Sequence, residues 1–488
     1  MSSLQKKMAN ATKWSSITEI STKLISPITN AILARLLVPE SFGVVATLTM
    51  VVSFAEIFID AGFQKYLVQH EFADEDDLEI STNVAFWSNL LLSFLAWMGI
   101  SLFATPIANA VGSAGCESAI VVMCAQIPML SFSSVQMARY RRDFDFKSLF
   151  FARITTAAVP LVVTVPLALG FRSYWALVAG MLTRDLLNAI ILTARSKWKP
   201  RFCYSIYKLK EMISFSLWTV VENISIWMTN YMGTFIVGII LSAYYVGLYK
   251  TATGTVSSYL GLVTAATMPV LFSALSRCQN DDIEFRENFF RFQRMTALLV
   301  APLGFGLFVY RELATLILLG SQWLETANLL GCWSLISAIT IILSHYNSEA
   351  FRSKGHPRLS VLVQVLYLLV MVPVLLWGAK QGYQTLSVAA SFVRIALVLI
   401  SGIIMQKVIG IRFIEILKNV WPSFFSAAIM TVVGAWLRTV FDNIVWEVTT
   451  VLVCVCVYVL SMLLLPAGRN QLAEISILRK VFRLKVEK

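Results

Sequence analysis

The stretch RLSVLVQVLYLLVMVPVLLWGA (residues 358–379) decides the fold. Between Arg358 and Lys380 no residue carries a charge. A run of about 20 mostly apolar residues is what a helix needs to cross the hydrocarbon core of a bilayer. Similar stretches fall at 14–37, 43–66, 83–104, 116–137, 148–169, 174–194, 213–241, 246–273, 292–310, 326–350, 383–406, 419–440 and 443–465. The expected architecture is therefore an all-α integral membrane protein with about 14 transmembrane helices. Residues 311–320 read either as a peripheral cap or as part of a span. Of the 488 residues 57% are hydrophobic and 14% charged, against about 25% charged in soluble domains. The connections left over are too short to contain a soluble catalytic domain.

The net charge of +12 comes from 40 Lys and Arg against 28 Asp and Glu. Its placement points to topology rather than to nucleic acid. With the N-terminus inside, basic residues alternate from loop to loop as the positive-inside rule requires. The inner side receives 31, the outer side six, and Lys23, Arg184 and Arg394 lie within spans. Arg153 is counted with the inner loop that holds Arg139, Arg141, Arg142 and Lys147. Both termini are then cytoplasmic, and the protein is expected in a bacterial inner membrane. No cleavable leader is expected, because the first apolar run contains Glu19 and Lys23. An acidic run, Glu71 to Glu79, sits on a side that should be basic and reads as a solvated connector. The seven cysteines have no metal-finger spacing and read as small apolar fillers.

The chain also repeats. A shift of 204 positions lays LLVPESFGVV (36–45) on ILSAYYVGLY (240–249) and Gly43 on Gly247. A shift of 211 brings Arg141 onto Arg352 and Lys147 onto Arg358. Two pseudo-symmetric six-helix lobes plus two C-terminal helices follow. The expected division is a lead-in at 1–13, an N-lobe at 14–194, a basic linker at 195–212, a C-lobe at 213–406, two helices over 407–465 and a basic tail at 466–488. Parallel repeats of this kind place their substrate site where the halves meet.

ARLLVPESFGV (34–44), followed by Asp60-Ala-Gly-Phe-Gln, resembles the polysaccharide-transport branch of the multidrug/oligosaccharidyl-lipid/polysaccharide exporter superfamily. The likeness is to the Wzx-type, colanic-acid-exporter-like flippases. Ala11-Thr-Lys-Trp14, Arg141-Arg-Asp-Phe-Asp-Phe-Lys147, Val246-Gly-Leu-Tyr249 and Leu319-Gly-Ser-Gln-Trp323 add to it in order along the chain. The resemblance implies alternating access and an undecaprenyl-diphosphate-linked oligosaccharide as cargo, moved for exopolysaccharide, capsule or O-antigen assembly. Membrane lipids and a polysaccharide polymerase or assembly machinery are the implied partners, and nucleic acid is not. No bound cofactor is expected; a proton or sodium gradient is the candidate energy source.

Carrying a diphosphate through hydrocarbon requires a wet cationic cavity. Glu19, Lys23, Ser26 and Asn30 form one stripe of the first helix. Lys23 is the first candidate for the diphosphate, with Glu19 as its counter-ion; the alternative is a structural Glu19–Lys23 pair. Arg394, Arg35 and Arg184 are further cationic candidates, and adjacent helical positions predict no local pair between Arg184 and Asp185. Asn223, Trp227 and Asn230 on the seventh helix suit sugar recognition through directional amides and an apolar ring face. His345 and Glu349, with Arg352 one turn on, are candidates for ion coupling, and Glu56 and Asp60 on the second helix are alternatives. No catalytic or metal-binding residues are expected: the chain has no GxxxxGK[ST] loop and no paired-histidine motif. The rival readings are a cation-coupled multidrug exporter, which would prefer acids in its cavity, and a membrane glycosyl- or phosphoglycosyl-transferase, which would need metal-binding acids at a cytoplasmic loop.

Overall fold

The computed structural model describes residues 3–60, 62–441 and 443–474. Within that range the side chains at 3–13, 16, 20, 23, 24, 60, 214–219, 221, 222, 266 and 269 lie outside the described set. The chain divides into two compact units, Met1–Lys250 and Thr251–Lys488. The first contains α1 (Ser3–Leu36), α2 (Pro39–Asp60), α3 (Phe63–Gln69), α4 (Glu75–Leu102), α5 (Glu117–Arg142), α6 (Phe146–Phe171), α7 (Tyr174–Arg195), α8 (Ile206–Ile240) and the start of α9 (Ala243–Arg277). The second continues α9 and adds α10 (Asp282–Val309), α11 (Arg311–Leu318), α12 (Ser321–Ser353), α13 (Arg358–Lys380), α14 (Tyr383–Val408), α15 (Phe413–Arg438), α16 (Ile444–Leu464) and α17 (Pro466–Glu474). The protein is thus a multi-pass helical membrane protein. Among the described residues eleven helices are long and apolar enough to span, or twelve with the bent α9 taken as one. That number is below the expected fourteen; α1 and α8, of 34 and 35 residues, stand outside it. The 311–320 segment forms the separate short helix α11 and a turn.

In the first unit α1 packs on α6, α5 and α6 both pack on α7, α4 packs on α5, and α8 runs along α2. Lipid tails are as apolar as leucine, so burial alone does not pull membrane helices together; close packing and hydrogen bonds do. Accordingly small side chains, Ala108, Ala119, Ala168 and Ala176, are almost completely buried among Leu33, Leu48, Ile120 and Met123. In the second unit α10 is the central element, flanked by α12 and α15, with α16 against α15.

The repeat is visible in the helix ends. The same 204 positions separate the last residue of α1, Leu36, from that of α8, Ile240, and the first of α2, Pro39, from that of α9, Ala243. The equivalent starts of α2 and α9 cross one another. A Cβ on Gly43 would lie 1.7 Å from the Ala243 carbonyl oxygen, and one on Gly247 would lie 1.9 Å from that of Pro39. The contact is reciprocal, each glycine admitting the backbone of the other helix.

The acidic run is not a free connector. Asp74 caps α4 by accepting from the Asp77 amide at 2.7 Å, and Glu75, Asp76 and Asp77 fill its first turn, where the helix dipole favours negative charge. Asp77 pairs with Lys208 at 2.7 Å and Glu79 with Arg201 at 3.5 Å. Glu211 adds contacts to Lys208, His70 and the Tyr66 hydroxyl. Burial, then the Glu211 carboxylate, pushes the Tyr66 phenol well above its ordinary range. Asp77 and Glu79, which looked misplaced, are thus the counter-ions of Lys208 in the first turn of α8 and of Arg201 in the connection before it.

Candidate functional site

The first unit encloses a polar cavity of about 520 Å³. α1 contributes Thr22, Ser26, Thr29 and Asn30; α6 contributes Arg153, Thr156, Pro160 and Thr164; α7 contributes Arg184, Asp185 and Asn188. Local sequence explains the wall of α1. Its hydroxyls fold back on carbonyls one turn earlier, Thr22 on Thr18 at 2.8 Å, Ser26 on Thr22 at 3.0 Å and Thr29 on Ile25 at 3.1 Å. Such bonds let Ser and Thr sit at membrane depth with their donors satisfied. Opposite, Pro160 has no amide hydrogen, and α6 widens there into a π turn over Pro160–Thr164. Both ends of that turn face the cavity.

Two guanidinium groups line the space, and each is held by a carboxylate. Arg153 Nη1 donates to Glu19 Oε1 at 2.9 Å, both side chains being partly exposed. Arg184 grips its neighbour Asp185 with two bonds, Nε to Oδ1 at 2.8 Å and Nη2 to Oδ2 at 3.2 Å. Buried Asp185 also accepts from the Gln126 amide. The expectation of no local Arg184–Asp185 pair is therefore wrong. The Cα–Cβ bonds diverge, but the long arginine arm bends back far enough to present its fork. Arg153 is likewise corrected: it lies inside α6 rather than in a loop. The span expected at 148–169 already contained it.

Of the other sequence candidates, Glu19 pairs with Arg153, and Ser26 and Asn30 line the cavity. Lys23 is on α1 and Asp60 on α2, but both side chains lie outside the described residues. Arg35 is exposed in the last turn of α1 and is not among the cavity-lining residues. Asn223 belongs to a second polar recess of about 320 Å³ lined with Ser53, Glu56, Gln64, Asn89 and the serines of α5. The two recesses share Met137, and Asn188 of the first reaches Ser133 of the second at 3.5 Å. Trp227 donates its indole N–H to Ser53 Oγ at 3.1 Å and the Met50 carbonyl at 3.3 Å, so its polar edge is already used. Asn230 is exposed and lines neither recess.

In the second unit Arg394 donates to Ser337 Oγ and lies 4.4 Å above the Trp333 ring. Glu349 is buried and pairs with Arg352 at 3.3 Å. His345 ends a π turn over Ile341–His345, with its ring edge-on to Tyr346. No ion pair joins His345 to Glu349 among the described residues. No group of three or more potential metal ligands occurs among them either.

Sequence reading singled out Glu56 as an ion-coupling alternative and missed Arg153, Gln126, Asn188 and the α5 serines as parts of one polar interior. The signal was present only as polar residues inside apolar spans, which by composition are equally well interhelical hydrogen-bond partners.

The family model for polysaccharide biosynthesis proteins matches residues 32–328. The succinoglycan biosynthesis transport protein ExoT of Rhizobium meliloti is 29% identical over 328 residues, which is 67% of this chain and 65% of that protein. The lipopolysaccharide biosynthesis protein WzxC of Escherichia coli is 19% identical over 87% of this chain and 86% of its own. Among solved structures, the lipid II flippase MurJ in an inward closed conformation superposes with a TM-score of 0.74 at 14% identity, over 92% of this chain and 97% of that one. An inward-facing multidrug resistance MATE family transporter of the MOP superfamily gives a TM-score of 0.60 at 12% identity, over 83% and 99%. The fold is thus the one found in these two solved structures, and the chain belongs to the polysaccharide biosynthesis protein family.

Proposed function

We infer that the protein is a flippase that moves a lipid-linked oligosaccharide, an undecaprenyl diphosphate carrying a repeat unit, across a bacterial inner membrane. It acts there for surface-polysaccharide assembly. The observation that carries this reading is the cavity in which Arg153 and Arg184 stand beside hydroxyls and amides at membrane depth, each guanidinium held by a carboxylate. A diphosphate matches the fork of an arginine as a carboxylate does, and carries more charge. Arriving cargo can therefore exchange with Glu19 at Arg153, and the freed pair can re-form after release. Lys23, one turn from Glu19 in the sequence of the same helix, is the further cationic candidate. The hydroxyls and amides of the two recesses suit a sugar chain.

The relatives named for succinoglycan and lipopolysaccharide biosynthesis support this class of cargo, as does the fold shared with a lipid II flippase. The fold shared with a multidrug transporter supports the rival only at the level of architecture. In this reading the termini and the basic loops are cytoplasmic, the lobes over 14–194 and 213–406 alternate in access, and a polymerase takes the delivered unit. No bound cofactor takes part. A proton or sodium gradient drives return, with Glu349, His345 and Asp60 as its candidate residues.

The test is reconstitution in liposomes with a fluorescent polyprenyl-diphosphate saccharide, read by quenching from outside. Wild-type protein is expected to expose the label. Lys23→Ala is expected to lose most of that activity while Lys23→Arg keeps part of it. Transport of a cationic dye in place of the saccharide lipid would overturn the assignment.

A further inference from the structure

The connection between α7 and α8 is strapped along α4. The Arg201 amide donates to Asn83 Oδ1 of α4 at 2.8 Å, and Trp87 Nε1 of α4 donates back to the Arg201 carbonyl at 2.9 Å. Phe202 stacks on the Trp87 ring, with centroids 4.3 Å apart and planes inclined by 17°. The Tyr204 and Ser88 hydroxyls share a hydrogen bond of 2.9 Å. These polar ties all run to α4, yet large side chains of the same segment are left open. Phe202 is 93% exposed, Tyr204 51%, Ile206 65% and Tyr207 76%.

We propose that residues 201–207 lie in the membrane interface, with Phe202, Tyr204, Ile206 and Tyr207 set among the lipids of the leaflet at that end of α4. Depth is the first reason. The charges of α4 stop at Glu79, and none occurs from Ile80 to Leu102, about 33 Å of helix for a hydrocarbon core about 30 Å thick. Asn83, Trp87 and Ser88, which hold the strap, lie about 5 to 12 Å along the helix from Ile80. Amphipathic segments at the headgroup boundary bury their apolar face to a similar depth, about 5–10 Å. Continuity is the second reason. Trp87, Leu91, Phe94 and Met98 recur at i, i+4, i+7 and i+11, one stripe of α4, and the last three are exposed on a spanning helix, where lipid is the solvent. Phe202 sits on the end of that stripe. Tryptophan and tyrosine favour this layer, because the ring is apolar and its polar edge can hydrogen-bond. The anchor is apolar rather than electrostatic. Lys197 and Lys199 precede the strap and are exposed, but Glu79 stands 3.5 Å from Arg201 and Asp77 2.7 Å from Lys208, so the local positive charge is offset. This placement requires only that the chain crosses a membrane and is independent of the cargo.

The experiment uses the cysteine-free full chain with Ile206→Cys, Met98→Cys or His356→Cys, each spin-labelled and placed in phosphatidylcholine nanodiscs. Met98 belongs to the lipid-facing stripe, and His356 is exposed in the connection before α13. Power-saturation resonance compares collisions with oxygen, which concentrates among acyl chains, and with a nickel chelate, which stays in water. The oxygen-to-nickel ratio at 206 is expected to exceed that at 356 at least fivefold, toward the value at 98. Phe202→Asp combined with Tyr207→Asp should lower the ratio at 206 at least threefold. Phe202→Ser with Tyr207→Ser is the milder pair and should act in the same direction if the acidic pair does not fold. Adding phosphatidylglycerol should change the ratio less than twofold. A label at 206 that meets nickel as freely as one at 356 puts the strap in water and overturns the proposal. A label shielded from both reagents means that protein covers the strap, whether a second copy or another partner, and overturns it equally. A ratio that both ring variants leave unchanged removes the rings as the anchor. Insertion seen only with phosphatidylglycerol makes the lysines the anchor, and either result overturns the apolar strap.

Discussion

Arg153 and Glu19 are 134 positions apart in sequence and 2.9 Å apart in space. If cargo displaces Glu19 from this guanidinium, the two partners have opposite importance for transport. Arg153→Ala removes a charge-assisted bond to the diphosphate, worth about 1.5–3 kcal/mol, so transport is expected to fall on the order of ten- to a hundredfold. Glu19→Gln leaves the guanidinium in place and weakens the competitor. Cargo binding in a scintillation or fluorescence assay should then tighten, or stay equal, while turnover changes less than threefold. Equal loss in both variants would make the pair a packing element between α1 and α6. Arg184 differs because its partner Asp185 is buried and also tied to Gln126. Arg184→Ala would leave that carboxylate without its cation, so lower protein yield is expected along with lower transport.

At the scale of elements, two contacts carry predictions. The α2–α9 crossing depends on the absence of side chains at Gly43 and Gly247, so Gly43→Ala must drive the helices apart. Overpacking of this kind costs about 1–3 kcal/mol, and a lower melting temperature in detergent is the expected reading. Gly170→Ala, with open space beyond its Cβ, should be neutral or slightly stabilising, since alanine is about 0.5–1 kcal/mol better than glycine within a helix. The second contact joins the first turn of α4 to that of α8. Asp77→Lys places two ammonium groups together and should destabilise the first unit. Asp77→Lys combined with Lys208→Asp restores opposite charges and should recover more than half of the loss in melting temperature. A double variant no better than the single one would reduce the Asp77–Lys208 pair to a surface contact of little consequence.

For the whole molecule, the proposed orientation fixes which loops meet the cytoplasm. In a cysteine-free background, Lys199→Cys and Lys354→Cys should resist an impermeant maleimide in intact cells and react after permeabilisation. Cysteine at Arg172, where α6 ends in a left-handed residue before α7, should react from outside. Labelling of position 199 in intact cells would invert the topology. The ion pairs of the acidic run make this a joint test of both flanking loops. Glu79 and Arg201 meet across the linker, so the 71–79 and 195–212 segments must lie on the same side of the membrane.

Fold class was legible in the sequence because it depends on local pattern. Apolar runs such as 358–379 state the solvent, and the break at Val38-Pro39 recurs 204 positions later at Ser242-Ala243, so helix ends and repeat could be read without a partner in view. The stripe Glu19–Ser26–Asn30 was legible for the same reason, being set by the 3.6-residue period of one helix. What fills the space opposite that stripe was decided only by tertiary structure. Arg153 read as loop charge and the acidic run read as a solvated connector. Each changed meaning through a neighbour more than 100 positions away, Glu19 for Arg153 and Lys208 for Asp77. In hydrocarbon a polar side chain is tolerated wherever some helix supplies its partner. The chain's own period says which face a residue occupies, and only packing says whether that face meets another helix, a cavity or lipid.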